Sequence, residues 1–317
     1  MKVYVAGHTG LVGSALVRRF SRAPGVTLVT MGRAELDVMD RQAVQRFLEA
    51  QQPDVVIVAA GRVGGILANA RYPATFLYEN LMIETSLIHG AWAAGVRRLL
   101  HFGSSCMYPK QCPQPMQPAF LLTGTMEPTS EPYAIAKLAG LTLCASYVRE
   151  HGVQFVTAIP CTLYGPGDNF HPDDAHVLSA CIRKFHEARK DGKTEVTLWG
   201  NGQVRREFLY VDDLAEACEV LLRADAGTAP INIGSGQSQT IREMAEVVAG
   251  VVGFRGTIQW DRSRPDGAPE KLLDSAPVRA LGWKPTTPFR VGVERTYQWF
   301  LEHEPHPASE VSTCASS

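Results

Sequence analysis

A chain of 317 residues, 45% of them apolar, has ample material for a buried core in one large domain or two smaller ones. Its 31 Lys and Arg against 32 Asp and Glu leave a net charge of -1, which argues against the strongly basic surface of a nucleic-acid or anionic-membrane binder. No apolar run approaches a membrane span, and the seven cysteines (Cys106, Cys112, Cys144, Cys161, Cys181, Cys218 and Cys314) have neither CxxC nor Cys/His zinc spacing, so no metal is expected. The odd cysteine count, with a start that reads as a strand and not a secretory leader, predicts reduced thiols in a cytoplasmic protein.

Lys2–Ala6 reads as a short apolar strand that runs into Gly7, Gly10 and Gly13, with a helix to about Phe20. Residues 26–30 are a second strand, and Arg41–Gln51 places Val44, Phe47 and Leu48 at helical spacing. Residues 54–60 (Asp-Val-Val-Ile-Val-Ala-Ala) are apolar on both faces, as a buried parallel sheet requires. Residues 73–94 form a long helix with few charges, and its surplus apolar face predicts a homodimer. Arg98–Phe102, a helix over 132–150 closed by Gly152, and Gln154–Pro160 continue the pattern. Alternating strands and helices predict an α/β protein with a Rossmann-type doubly wound parallel sheet.

After Tyr164-Gly165-Pro166-Gly167-Asp168-Asn169 the alternation breaks. A helix is expected over 176–189, a strand over 196–199, and a turn at Gly200-Asn201-Gly202. Residues 207–211 and a helix over 212–223 read as a return to the first domain. Thr240-Ile241-Arg242-Glu243 is a capping box that opens a helix through Val252, and a last helix follows Pro288. The domains expected are therefore 1–165 with 200–235 for a cofactor, and a smaller C-terminal α/β unit, 166–199 with 236–303, for a substrate. Residues 304–317 lack apolar periodicity and are expected to be a disordered tail.

Gly7, Gly10 and Gly13 have the spacing GxxGxxG between a strand and a helix. Such glycines permit a tight turn, let backbone N–H groups approach a pyrophosphate, and allow close helix–strand packing. An NAD enzyme normally carries an acid after the second strand. Here the run is Thr30-Met31-Gly32-Arg33-Ala34, and Arg33 suits a 2′-phosphate, so the expected cofactor is NADP(H).

The chemistry is concentrated between Gly103 and Lys137: a hydroxyl (Ser104 or Ser105), the Cys106 thiol, the Tyr133 phenol and the Lys137 ammonium. Tyr133 and Lys137 are four apart on a helix and share a face. A lysine beside a phenol is expected to lower its pKa. A YxxxK spacing alone describes many surface pairs, and an isolated cysteine is usually a core residue. Here both follow a strand end that lies at the ligand-binding edge of the sheet.

These motifs resemble the extended short-chain dehydrogenase/reductase superfamily, and within it the GDP-L-fucose synthase family. The resemblance covers residues 1–303. It is carried by Ala6-Gly7-His8-Thr9-Gly10-Leu11-Val12-Gly13, Val63-Gly64-Gly65-Ile66, Gly103-Ser104-Ser105-Cys106-Met107-Tyr108-Pro109-Lys110 and Glu131–Lys137. Further matches are Leu163-Tyr164-Gly165-Pro166, Asp168-Asn169-Phe170-His171-Pro172, His176-Val177, Arg206-Glu207-Phe208 and Pro265-Asp266-Gly267. It implies epimerisation at C3 and C5 of a GDP-4-keto-6-deoxy sugar followed by NADPH-dependent reduction at C4. Cys106 and His176 are then the acid/base pair, Cys106 the base. Tyr133 supplies a proton, Lys137 tunes it, and Ser104 hydrogen-bonds the ketone.

The same resemblance adds Leu11, Val12, Pro160 and Leu163 to the cofactor-binding residues. It places Asn169, Lys184, Trp199, Arg206 and Asp266 against the GDP-sugar. Thr9, Met31, Thr162, Lys184 and Glu270 depart from the family pattern. An epimerase-reductase for a related GDP-sugar, of the colitose or heptose kind, fits the same residues. A 4,6-dehydratase would want an Asp-Glu pair where Cys106-Met107 stands. A simple 4-epimerase would need neither thiol nor histidine. A non-catalytic NADP-binding protein would be expected to lose Tyr133 or Lys137.

Overall fold

Four βα units and a fifth strand build the first half of the molecule: β1 (Lys2–Ala6), α1 (Leu11–Phe20), β2 (Thr27–Val29), α2 (Arg41–Gln51), β3 (Val55–Val58), α3 (Ile66–Arg71), α4 (Pro73–Ala93), β4 (Arg98–Phe102), α5 (Glu131–His151) and β5 (Gln154–Pro160). The computed structural model describes residues 1–172, 174–224, 227–263 and 267–303. The expected tail, 304–317, lies outside them, as does Asp266.

The second half consists of β6 (Thr162–Tyr164), α6 (Val177–Lys190), β7 (Glu195–Trp199), β8 (Arg205–Tyr210), α7 (Val211–Arg223), β9 (Ile231–Ile233), β10 (Ser238–Thr240), α8 (Ile241–Val252), β11 (Thr257–Asp261), β12 (Glu270–Lys271), α9 (Ala276–Ala280) and α10 (Phe289–His303).

Strands β2-β1-β3-β4-β5-β9 form one parallel sheet in that order. The chain runs outward from β1 to β2 and then crosses back to β3. The gap between the ends of β1 and β3 is thus the topological switch point, where α/β sheets bind ligands. Alternation along each strand divides the core. Val3, Val5 and Ile57 face α1 and α7, whereas Tyr4, Ala6, Val56 and Val58 face α2 and α4. Both faces are covered, which accounts for the fully apolar run at β3. The doubly wound α/β sheet is as expected.

Local signals set most of the boundaries. Asp40 caps α2 by accepting from the N–H groups of Gln42 and Ala43 at 2.9 and 3.0 Å. Gly152 ends α5 at φ +61°, and Thr240 with Glu243 completes both halves of the capping box on α8. A separate core lies between α6, α8, α10 and strands β7 and β8, around Ile182, Phe185, Met244, Val248 and Phe300.

One expectation fails. The strand read as returning to the first domain, β8, instead pairs with β6, β10 and β12 in a small second sheet. The place beside β5 is taken by β9, whose three buried residues carry too little pattern to be read as a strand. The following helix does return: Arg18 and Arg19 of α1 pair with Asp212 at 2.6 Å and Glu216 at 3.1 Å of α7.

Candidate active site

Parallel strands end at one edge, and that edge gathers the residues singled out above. Gly7 leaves β1 at φ +83°, and a Cβ there would lie 2.6 Å from the Ala60 backbone beyond β3. A Cβ at Gly13 would collide with the Gly7 carbonyl. Gly10 opens on space instead, where a Cβ would meet only that carbonyl, at 3.6 Å. It caps α1 with no side-chain acceptor, so the first-turn N–H groups at Leu11 and Val12 find no cap there. A bare, positively polarised helix end at a switch point fits a dinucleotide pyrophosphate. Arg33 is exposed in the turn beyond β2 and makes no ion pair among the described residues. The acid that follows it, Glu35, turns back to accept from the Gly32 N–H at 2.8 Å.

Ser104 leaves β4 and caps a single 3-10 turn, Ser105–Met107, by accepting from the Cys106 N–H at 3.2 Å. Its hydroxyl also hydrogen-bonds the Tyr133 phenol and the Cys106 thiol, whereas Ser105 is buried. Ser104 is therefore the hydroxyl of the two that joins the cluster. Burial pushes the Cys106 thiol up. The Lys271 ammonium, 3.7 Å from Sγ, and hydrogen bonds from Ser104 and Ser130 outweigh that and bring it below the ordinary thiol value.

Tyr133 departs from expectation. Burial raises its pKa by more than Lys137 lowers it, and the charges of Cys106 and Glu84 add to the rise. The reason is geometric: Lys137 Nζ is 5.9 Å from the Tyr133 ring centre and 2.7 Å from Glu84 Oε1. Most of the lysine's charge is matched by a carboxylate, so the phenol remains protonated and suits a proton donor.

His176 stands half-buried at the N-cap of α6. Its segment is tied to the N-cap of α3 by the Gly65 N–H, which donates to the Asp174 carbonyl at 2.8 Å. Phe76 packs on Gly64 and meets Tyr133 edge-on at 6.5 Å. Beside His176, burial pushes Asp168 up, against the pull of His176, Ser179 and the Asn169 N–H.

A glycine cradle, a serine–tyrosine–lysine cluster and a lowered thiol at one sheet edge can together hold a dinucleotide and move protons and hydride at a carbonyl. Residues 3–234 match the model of the NAD dependent epimerase/dehydratase family. The chain belongs to that family. It is 50% identical over 302 residues to GDP-L-fucose synthase 1 of Arabidopsis thaliana, covering 95% of this chain and 94% of that one. It is 47% identical over 315 residues to GDP-L-fucose synthase of Escherichia coli (strain K12), covering 96% and 97%. Among solved structures, a GDP-L-fucose synthetase from Naegleria fowleri bound to NADP superimposes with a TM-score of 0.86 at 27% identity, covering 95% of this chain and 92% of that one.

The remaining residues of this epimerase/dehydratase family member fall into two groups. Lys184 of α6 lies 5.8 Å over the ring of Trp199 at the end of β7. Arg206 of β8 donates to the carbonyls of Ala268 at 2.7 Å and Arg205 at 2.8 Å. Its registered neighbour on β12 is Lys271, so the two cations share one face of the small sheet. Asn169 is exposed, and its side chain accepts from the His171 N–H at 2.9 Å. Pro160 is buried at the end of β5, and Leu163 is half-buried on β6. Glu270 accepts from the Ser238 hydroxyl at 2.6 Å and faces Arg205 at 3.6 Å, which gives this departure a structural use.

Lys271, Ser130 and Glu84 are not legible from the sequence. Nothing local connects residue 271 to 106; the pairing of β12 with β8 and the bonds of Leu272 to Gln114 and Met116 do so. Glu84 is hidden in an α4 sequence that reads as apolar core.

Proposed function

We propose that the protein converts GDP-4-keto-6-deoxy-D-mannose to GDP-L-fucose, by epimerisation at C3 and C5 and then NADPH-dependent reduction at C4. The observation that carries this is the lowered Cys106 thiol beside the Ser104–Tyr133 pair. A plain keto-reductase has no use for such a base. Identity of 47–50% to GDP-L-fucose synthases over nearly the whole chain supports the same substrate.

The 4-ketone acidifies the hydrogens on C3 and C5, so inversion needs a base and an acid on opposite sides of the ring. Cys106 is the base, its thiol brought below the ordinary value by Lys271, and His176 the acid. NADPH, when bound, supplies hydride to C4. Gly7, Gly10 and Gly13 with the N–H groups of Leu11 and Val12 receive its pyrophosphate, Arg33 its 2′-phosphate, and Lys137, Pro160 and Leu163 its nicotinamide half. Ser104 hydrogen-bonds the ketone oxygen and Tyr133 delivers the proton to it. Lys184, Arg206 and Asp266 bind the GDP-sugar, with Trp199 stacking on the base and Asn169 beside the sugar.

We assign the cofactor to 1–165 and 200–235, less strand β8, and the GDP-sugar to 166–199 and 236–303. A homodimer through the outer faces of α4 and α5 suits the 64% exposure of Tyr78 and 41% of Ile135. A monomeric mass at micromolar concentration would count against it. No helix among the described residues is long and apolar enough to cross a membrane; with the balanced charge this supports the cytoplasm.

The test is turnover of GDP-4-keto-6-deoxymannose with NADPH in D2O. Deuterium at both C3 and C5 with NADPH consumed is the expected result. Deuterium at one carbon points to a narrower epimerase, and no oxidation of NADPH or NADH sinks the assignment.

A further inference from the structure

Behind the reductase residues lies a cluster of charge of which the proposed chemistry uses Lys137 alone. Glu84 of α4, His101 of β4 and Lys137 of α5 are 1%, 0% and 4% exposed. Lys137 Nζ is 2.7 Å and His101 Nε2 3.4 Å from the same carboxylate oxygen, Glu84 Oε1. The lysine approaches outside ideal hydrogen-bond geometry, because neither Glu84 oxygen has a well-directed partner among the described residues. Charge holds the cluster together. Removing either ion would leave the other buried and uncompensated, so the pair is strongly coupled.

The protonation states follow from the surroundings. Burial pushes Glu84 up, but Lys137 and His101 outweigh it and keep the group ionised. Burial pushes His101 down by more than Glu84 lifts it, so the imidazole is neutral, its Nδ1 3.2 Å from the Thr157 hydroxyl. Burial pushes the Lys137 pKa down; Glu84 reverses this and lifts it above the ordinary lysine value. The other titratable groups facing this pair are Tyr133 and Cys144 of α5, and Cys106 in the turn after β4 faces Tyr133 in turn. Room for the carboxylate depends on Gly140 of α5, where a Cβ would overlap Glu84 Oε2.

We infer that Glu84 is a positioning residue of the reduction step, which keeps Lys137 a permanent ammonium and Tyr133 a protonated phenol at the pH where the enzyme works. It thereby commits the site to giving a proton to the C4 oxygen. The inference rests on the reductase reading above. Glu84 touches neither substrate nor cofactor; it acts through Lys137. A buried Lys137 without its carboxylate titrates earlier. A Lys137 that stayed charged without it would lower the Tyr133 pKa. Both consequences move the loss of reduction to lower pH.

The experiment compares wild type with Glu84→Gln and Glu84→Asp, following NADPH oxidation and deuterium entry at C3 and C5 across pH 6–10. In Glu84→Gln the alkaline limb of reduction is expected to shift down by about one pH unit, with the deuterium-exchange profile unmoved. Glu84→Asp, which retains the charge, keeps the wild-type limb at a lower rate. An unmoved limb in Glu84→Gln, or equal shifts in both profiles, overturns the inference. Should Glu84→Gln not fold, the Lys137 15Nζ resonance of the wild-type protein decides, assigned by difference from Lys137→Met. It is expected to hold its ammonium position while surface lysines titrate, and titration with or below them overturns the inference. A wild type that consumes no NADPH overturns the functional reading instead, and this resonance then decides the inference alone.

Discussion

Lys271 Nζ stands 3.7 Å from the sulfur of Cys106, across 165 residues of chain. The lysine is delivered by β12, which several bonds fix in place. Gln114 accepts from the Leu272 N–H at 2.8 Å, the Met116 N–H donates to the Leu272 carbonyl at 2.7 Å, and Glu207 accepts from the Leu273 N–H at 2.9 Å. Lys271→Met should remove the cation that offsets burial of the thiol and raise the Cys106 pKa. At pH 7 alkylation of Cys106 by iodoacetamide, followed by peptide mass spectrometry, should slow about tenfold. Lys271→Arg keeps the charge and should recover most of the rate. Equal rates in wild type and Lys271→Met would deny the lysine this role.

In the proposed mechanism proton abstraction and hydride transfer use different side chains, and so they should separate on mutation. Tyr133→Phe removes the proton donor but leaves Cys106 and His176, so NADPH oxidation should fall by about 10²–10⁴ while deuterium still enters the sugar. Cys106→Ser should do the reverse to exchange, because a hydroxyl is a far weaker base than a thiolate at neutral pH. Parallel loss of both signals in Tyr133→Phe would argue against the division of labour.

Glu207 carries a pH dependence of its own. It is 1% exposed, and burial raises its pKa from 4.5 to about 7 against the pull of the Leu273 and Gly236 N–H groups and Arg279. Between those values the folded protein holds a proton that the unfolded chain has released. Its contribution is therefore fully present below about pH 4.5 and lost as pH rises through about 7, a change of about 3 kcal/mol. Glu207→Gln has no such proton and leaves one of the two N–H groups poorly paired, at about 1–3 kcal/mol. Urea denaturation should find Glu207→Gln less stable than wild type at pH 5, with the gap narrowing by pH 8. A constant gap would mean that Glu207 does not titrate in this range.

The elements that recur with a period are legible in the amino-acid order itself. Val55–Val58 can only be a doubly covered strand, and Gly7, Gly10 and Gly13 between a strand and a helix mark the dinucleotide turn. The hydroxyl, thiol, phenol and ammonium between 103 and 137 are visible for the same reason: one strand end and one helix carry them. What escapes is long-range. Three-residue strands such as β9 are shorter than any pattern, so the alternation alone assigns β8 to the wrong sheet. The partners that set the pKa values of Cys106 and Lys137 come from β12 and α4, and no local spacing announces them. The YxxxK motif shows that Lys137 and Tyr133 share a face, but burial and Glu84 reverse the expected direction of the shift.

Cofactor choice should be adjustable at the loop beyond β2. Glu35 is engaged with the Gly32 N–H, so Arg33 is the charge in that turn without a carboxylate on it. Loss of an exposed cation facing a phosphate costs about 1–2 kcal/mol. Arg33→Ala should therefore reduce the preference for NADPH over NADH about tenfold, read as the ratio of kcat/KM values, with kcat at saturating NADPH little changed. An unchanged ratio would move 2′-phosphate recognition elsewhere.

Two helical glycines should answer in opposite directions when changed to alanine. Alanine is favoured over glycine in a helix interior by about 1 kcal/mol. At Gly250 of α8 the new methyl would find only the end of Arg290, at 3.8 Å, so the propensity gain should appear as added stability of about 0.5–1 kcal/mol. At Gly140 of α5 the same methyl would overlap Glu84 Oε2 and come within 2.8 Å of His101 Nε2. Both are packed between α4, α5 and β4 with no solvent to move into, and overpacking of this kind costs about 1–3 kcal/mol. Displacing Glu84 from Lys137 adds the cost of a disturbed buried ion pair. The clash therefore exceeds the gain, and Gly140→Ala should lower the denaturation midpoint while Gly250→Ala raises it. A Gly140→Ala protein as stable as wild type would show that α4 and α5 can separate at little cost, and that Glu84 is not held where the ion pair requires.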